Sequence, residues 1–277
     1  MLSGIFVPTF TAFTKNGDLD LSSTIHHAQW LLKTDISGLI PFGTFGEGAS
    51  LSIEEMKLIT SNLLEIKGDK KVIPTLISNS LGSIKEFLKW LASTDVTHTM
   101  VLPPSYFRPA DTETMVEFYE QLTNYTDIQI IAYNIPDFAV ELPVEVVQRT
   151  KVWGVKDSSG DLEATKGYLS TGKNLLVGSD KYLVPALEAG ANGGILGLAN
   201  IFPDKFTSAY QLYKSGDAIA AQKQIDEVLE IVNRIVPPNA VFVEKIAYLK
   251  SLSKQLVPTN LGYMRLPVKS QEVAKLN

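Results

Sequence analysis

Short runs of apolar and β-branched residues alternate along the chain with longer stretches whose apolar positions recur every three to four residues. The short runs lie at residues 5–10, 38–42, 72–78, 99–103, 129–134, 154–156, 175–178 and 194–199. They are apolar on both faces and read as buried strands. The longer stretches, at residues 22–33, 53–66, 83–93, 112–123, 144–150, 162–170, 182–189 and 204–214, read as helices with one buried face. Cap chemistry marks some of their starts: Ser52 with Glu55 three residues on forms a capping box, and Asp111 stands ahead of another helix. Gly68, Gly172, Gly190 and Gly216 sit where helices should stop.

Strands buried on both faces, each followed by a helix, imply a parallel sheet covered by helices, and eight such units close most simply into a (β/α)8 TIM barrel. The 277 residues suit that fold, which typically needs about 250. A doubly wound open sheet is the competing α/β architecture, but no Gly-x-Gly-x-x-Gly turn follows the first strand. The barrel is expected over residues 1–215. Residues 216–277, with helical period at 218–235 and 240–252, are expected as a C-terminal helical extension packed on it within one structural domain.

Composition narrows the chemistry. With 45% apolar and 20% charged residues the chain can bury a large core unaided. A net charge of −5 with scattered Lys and Arg argues against nucleic-acid or anionic-membrane partners. The absence of cysteine removes disulfides, thiolate catalysis and Cys-based metal sites. Of the three histidines, His26 and His27 are adjacent and point different ways on a helix, and His98 is remote, so no metal site is expected. No apolar stretch reaches the ~18 residues of a membrane span, and the apolar N-terminus lacks a basic leader, so a soluble, cytoplasmic protein is expected.

Barrel active sites lie at the C-terminal ends of the strands. Strand six ends in Trp153-Gly154-Val155-Lys156-Asp157-Ser158, which places an ammonium on a buried apolar strand. Such a lysine is either paired with Asp157 or another carboxylate, or desolvated so that its neutral amine can act as a nucleophile. Strand five ends in Tyr133-Asn134-Ile135-Pro136, whose phenol is either packing or a barrel-mouth acid/base. The loop Gly43-Thr44-Phe45-Gly46-Glu47 after strand two offers N–H groups and a hydroxyl to a carboxylate, or simply caps a helix. Pro103-Pro104-Ser105-Tyr106-Phe107-Arg108-Pro109 after strand four is a rigid aromatic segment suited to a binding lip or a subunit contact. Gly178-Ser179-Asp180 after strand seven can bind hydroxyls or cap the next helix. Gly193, Gly194 and Gly197 around strand eight permit close backbone approach.

As an ordered set these strand ends resemble the pyruvate-dependent class I aldolases of the dihydrodipicolinate synthase and N-acetylneuraminate lyase superfamily. The resemblance runs from Gly4 to the C-terminal helices and rests on Gly-Thr-x-Gly-Glu at 43–47, Tyr-Asn-x-Pro at 133–136 and Gly-x-Lys-Asp at 154–157. It implies that Lys156 is the Schiff-base lysine and Tyr133 the proton-shuttling phenol. Thr44 would relay protons between Tyr133 and Tyr106, and Tyr106 would reach in from a neighbouring subunit of a homotetramer. The backbone at Thr44 and Phe45 would bind the substrate carboxylate, and Gly178, Ser179, Asp180 and Ile195 complete the expected substrate contacts. No cofactor or metal is implied; the partners are a 2-keto acid and an aldehyde.

Two departures bear on substrate. Dihydrodipicolinate synthases carry an arginine just after Tyr-Asn-x-Pro, where this chain has Asp137-Phe138-Ala139-Val140, and Phe45 replaces a second threonine. The pattern looks more like archaeal-type 2-keto-3-deoxygluconate aldolases, which implies reversible cleavage of that sugar acid to pyruvate and glyceraldehyde. Arg108 and Arg234, two of only four arginines, leave activity on the 6-phosphate open. The alternatives are a dihydrodipicolinate synthase, a lyase of the N-acetylneuraminate type, and a non-catalytic barrel that binds a small acid.

Overall fold

The computed structural model describes residues 1–275, so the last two residues of the expected C-terminal extension lie outside the described residues. Nine strand segments form one parallel sheet: β1 (Gly4–Val7), β2 (Gly38–Leu39), β3 (Lys71–Val72), β4 (Thr75–Leu76), β5 (His98–Val101), β6 (Gln129–Asn134), β7 (Gly154–Asp157), β8 (Asn174–Val177) and β9 (Gly193–Ile195). Their order is β3-β2-β1-β9-β8-β7-β6-β5-β4. The two end segments, β3 and β4, are the halves of the expected third strand. Pro74, which has no N–H to donate, stands at the break.

The Ile73 N–H extends the β3 end by bonding the Leu39 carbonyl, and the Thr75 N–H of β4, at the other end, bonds the Pro41 carbonyl just past β2, each at 2.9 Å. The sheet therefore curls back on itself as a TIM-barrel-like α/β fold. Several strands stop short of their expected ends for the same reason that β3 and β4 divide. Pro8 follows β1 directly, and Pro41 and Pro103 lie just past β2 and β5, where the missing N–H ends the ladder. The stretch expected to continue strand eight instead forms a 3-10 turn at Gly197–Asn200.

Helices α1 (Leu21–Leu31), α2 (Ile53–Ile66), α3 (Leu81–Leu91), α4 (Thr112–Thr123), α5 (Val144–Arg149), α6 (Leu162–Leu169), α7 (Leu183–Ala189) and α8 (Pro203–Lys214) cover the sheet, followed by α9 (Ala218–Asn233) and α10 (Phe242–Leu256). The capping box of Ser52 and Glu55 is formed in both directions, and Asp111 accepts from the Thr114 N–H. Gly68, Gly172, Gly190 and Gly216 all take positive φ at helix ends. No helix among the described residues is long and apolar enough to cross a membrane.

Strand alternation sorts the core into two layers. Phe6, Ile131, Tyr133, Leu176 and Ile195 face the interior of the curled sheet. Ile5, Val7, Ile130, Ala132, Val155 and Leu175 face the helices. The interior layer holds the polar groups described below.

Asn200 ties the end of β1 to this helix layer. Its Oδ1 accepts from Phe10 N–H at 3.0 Å and lies 3.1 Å from His27 Nε2, while its Nδ2 donates to the carbonyls of Pro8 and Gly197. An oxygen acceptor at that distance requires a proton on Nε2, so His27 is the neutral Nε2–H tautomer, stacked on Trp30 and fully buried. Burial pushes its pKa down from 6.5 to about 4, against the pull of the Asn200 bond. The unfolded chain takes up this proton below about pH 6.5, whereas the folded chain refuses it until about pH 4. The stabilisation is therefore complete above pH 6.5 and is lost as pH falls through that window. Urea unfolding of wild type and His27→Gln at pH 7 and pH 5 tests this. The wild type should lose about 2 kcal/mol more than the variant between those two values, and equal losses would refute it.

Candidate active site

β6 and β7 pair with Tyr133 opposite Lys156 and Asn134 opposite Asp157. Tyr133 belongs to the interior layer, so Lys156 does too, and it is 4% exposed. Asp157, one residue on, faces the helix layer. There its carboxylate accepts from Asn134 Nδ2 at 2.9 Å, Thr165 Oγ1 at 2.8 Å and Ser159 N–H at 3.0 Å. The Lys156–Asp157 pairing left open by the sequence is thus not formed. Among the described residues Lys156 makes no salt bridge; its Nζ lies 4.1 Å from the centroid of the Tyr133 ring.

The Tyr133 hydroxyl is 3.1 Å from Thr44 Oγ1. Thr44 sits in a turn bounded by two non-glycine residues with left-handed backbone, Phe42 (φ 67°) and Glu47 (φ 53°). The turn's own hydrogen bonds are donated by Gly46, Glu47 and Gly48, so the N–H groups of Thr44 and Phe45 are not used in them. Such a turn can hold a carboxylate beside the lysine.

Lys156 and Tyr133 open into a cavity of about 500 Å³ whose wall also includes Ser158, Gly178, Ser179, Asp180, Ile195 and Phe45. Its far side is built mostly from the apolar Leu229 and Val232 of α9 and Phe242, Ile246 and Leu249 of α10, with Asn233 and Lys245 of the same helices and Lys181 as polar members. Two glycines make this packing possible. A Cβ at Gly178 would lie 2.9 Å from Lys156 Cε and 1.9 Å from Ser158 Oγ, and one at Gly197 would lie 2.1 Å from Phe45 Cζ. The Phe45 ring therefore lies flat against the turn after β9, with its other neighbours Phe10 and Phe242 at 6.0 and 6.1 Å.

Asp180 Oδ1 accepts from the Leu198 N–H at 3.1 Å. Burial pushes its carboxyl up from 3.8 to about 7, opposed by that hydrogen bond and by the charge of Lys156. Ser158 Oγ is buried without a hydrogen-bond partner among the described residues, which leaves it available to a ligand.

Of the residues singled out in the sequence, Lys156, Tyr133, Phe45, Gly178, Ser179, Asp180 and Ile195 share this cavity, and Thr44 touches it through Tyr133. Tyr106 does not. It is 81% exposed, edge-on to Phe107, with its N–H bonded to Asn79 Oδ1 at 2.8 Å. Arg108 is bonded to the Ser105 carbonyl and Arg234 lies 3.8 Å from Glu230; neither lines the cavity. Ser158 was not assigned a role from sequence, although its position two residues after Lys156 on the same strand face was the available signal. The α9 and α10 residues gave no signal, since nothing in a helical period tells which cavity it will cover.

The model of the dihydrodipicolinate synthetase family matches residues 1–275. The chain is 26% identical over 281 aligned residues to a 4-hydroxy-tetrahydrodipicolinate synthase of Methanosarcina mazei, covering 97% of this chain and 92% of that protein. Among solved structures it resembles a variant of 2-keto-3-deoxygluconate aldolase from Sulfolobus solfataricus, with a TM-score of 0.88 at 22% identity over 97% of this chain and 91% of the other. It also resembles the 2-keto 3-deoxygluconate aldolase of Picrophilus torridus, with a TM-score of 0.86 at 24% identity over 99% and 100% of the two chains. The family match over nearly the whole length, on a fold that these structures share, shows that the chain belongs to the dihydrodipicolinate synthetase family, and so to the aldolase-type lyases.

Proposed function

We propose that the protein is a class I aldolase that cleaves 2-keto-3-deoxygluconate reversibly to pyruvate and glyceraldehyde through an imine on Lys156. The observation that carries this reading is a lysine inside the sheet, free of any carboxylate pair, beside a phenol bonded to Thr44. In its neutral form the Lys156 amine attacks the C2 ketone, and water leaves to give an iminium. The C3–C4 bond then breaks as Tyr133 takes the proton of the C4 hydroxyl, and its electron pair flows into the iminium to form an enamine. Glyceraldehyde departs. Protonation of the enamine at C3 and hydrolysis of the imine release pyruvate and restore the amine.

A phenol is a weak base unless its anion is hydrogen-bonded, which is the role of Thr44 at 3.1 Å. The unused N–H groups of Thr44 and Phe45 would receive the substrate carboxylate. Ser158, Ser179 and Asp180 supply hydroxyl partners along the wall for a polyol chain. Neither Arg108 nor Arg234 lines the cavity; Lys181 and Lys245 do, and they are the cations that would meet the phosphate of a 6-phosphate ester, which stays a second substrate of this reading. The exposed Tyr106–Phe107 pair would pack on a neighbouring subunit of a homotetramer, each Tyr106 completing the relay in the next site. The 4-hydroxy-tetrahydrodipicolinate synthase relatives support a second reading, condensation of pyruvate with a semialdehyde. Against it stands the lack of an arginine after Pro136, where Asp137 and Phe138 follow.

Borohydride added with pyruvate should leave a covalent adduct on wild type and none on Lys156→Ala, read by intact mass. No wild-type adduct, or an adduct surviving in the variant, would falsify the imine. A panel of aldehydes offered with pyruvate separates the two substrates: glyceraldehyde should be turned over faster than the semialdehyde. Gly178→Ala should turn over about 100-fold more slowly, because its methyl group displaces the Ser158 hydroxyl and crowds the Lys156 stem, both in the cavity wall. Wild-type turnover in that variant would show that the close contact has no bearing on the reaction.

A further inference from the structure

The turn that carries Thr44 is gripped by residues some two hundred positions away. Glu47 and Lys250 of α10 form an ion pair, Oε1 to Nζ 2.7 Å, with 8% and 2% of the two residues exposed. Both groups are held further by one other segment. Lys250 Nζ donates to the Tyr263 carbonyl at 2.7 Å, and Glu47 Oε2 accepts from the Arg265 N–H at 2.9 Å. The Arg265 guanidinium donates to Glu55, to the Ser50 carbonyl and to the Gly17 carbonyl, each within 2.9 Å, and lies 4.3 Å over the Phe13 ring. Burial pulls the Lys250 ammonium below its ordinary range while Glu47 pulls it back.

A buried ion pair is weak ground for stability, because a well-packed apolar pair of similar volume often serves as well. Its location suggests another use. Glu47 N–H donates to the Thr44 carbonyl at 3.2 Å, so both residues belong to one turn. Glu47 holds a left-handed backbone that a non-glycine residue keeps only where its surroundings enforce it, and here the side chain is anchored at both oxygens. Thr11 Oγ1 bonds the Gly46 carbonyl at 2.7 Å and closes the turn from the other side.

We propose that Glu47 and Lys250 are positioning residues of this site: their buried pair holds the strained turn so that the Thr44 hydroxyl stays within hydrogen-bond reach of the Tyr133 phenol. The proposal rests on the aldolase reading, in which Tyr133 moves the proton. The pair itself touches neither substrate nor lysine and acts through Thr44. The C-terminal segment, with Lys250, Tyr263 and Arg265, is thereby part of how the reactive centre is held.

The test compares Glu47→Gln and Glu47→Gln/Lys250→Met, each made alone and in a Thr44→Val background that already lacks the hydroxyl. The paired variant removes both charges and so leaves no bare ammonium if the single one folds poorly. With Thr44 present, kcat for sugar-acid cleavage should fall about 10- to 100-fold with KM nearly unchanged. In the Thr44→Val background the same changes should alter kcat by less than about threefold, since the contact they protect is already absent. Equal losses in both backgrounds, or no loss with Thr44 present, would overturn the proposal. Pyruvate adducts should still form on Lys156 in these variants; their absence from wild type refutes the aldolase reading and not the clamp. The clamp has its own activity-independent readout in a crystal structure of the paired variant. A lengthened Thr44–Tyr133 contact supports it, and an unchanged one overturns it.

Discussion

The register of β6 against β7 is the constraint on which the site depends. Parallel strands paired with Tyr133 opposite Lys156 put both side chains on the interior face, and strand alternation then sends Asn134 and Asp157 to the helices. A slip of one residue would bring Asp157 into the interior and turn the lysine outward. The hydrogen bonds of Asp157 to Asn134 of β6 and Thr165 of α6 oppose such a slip, because both partners lie on the helix side. The carboxylate next to the lysine in sequence thus helps fix the lysine's direction without pairing with it.

Around that pair the structure leaves space at two points and adds restraint at a third. Gly178 gives the Lys156 stem room that any side chain would fill, and Gly197 lets the Phe45 ring lie against the turn after β9. The restraint falls on the Thr44 turn, where two left-handed residues need enforcement from outside. That enforcement comes from α10 and the segment beyond it. A barrel-like sheet can thereby place its lysine by its own strand pairing and yet depend on appended helices for the turn that carries Thr44.

Much of this was legible in the chain, for a physical reason. Strand and helix periods differ, so the β/α alternation stands out, and the prolines that shorten β1, β2 and β5 were visible as residues. The division at Pro74 could have been anticipated from the lost N–H. Lys156 and Tyr133 were readable as candidates because a polar residue at the end of an apolar strand is conspicuous, whereas Thr44, in a loop that could equally cap a helix, stood out only through the family resemblance. Ser158 was less so, since a serine after a strand usually reads as a cap. The Glu47–Lys250 pair was not legible: its partners lie 203 positions apart, and a lysine within an amphipathic helix looks like a solvated face until its burial is known. Tyr106 presents the reverse case, conspicuous in sequence and yet outside the cavity of its own chain.

The distribution of charge in the cavity follows from the same economy of space. An ammonium locked to a carboxylate stays charged and is a poor nucleophile, while one buried with no compensation destabilises the fold. Two weaker influences occupy the middle ground here: the face of the Tyr133 ring at 4.1 Å and the field of Asp180, which is tied to Leu198 N–H rather than to the lysine. Asp180, with its carboxyl held near pH 7, can give a proton to an adjacent hydroxyl or accept one from it at neutral pH. A carboxylate of ordinary acidity in that position would remain a fixed negative charge with no proton to donate. Desolvation of Asp180 therefore keeps on the wall a hydrogen-bonding group that can both donate and accept.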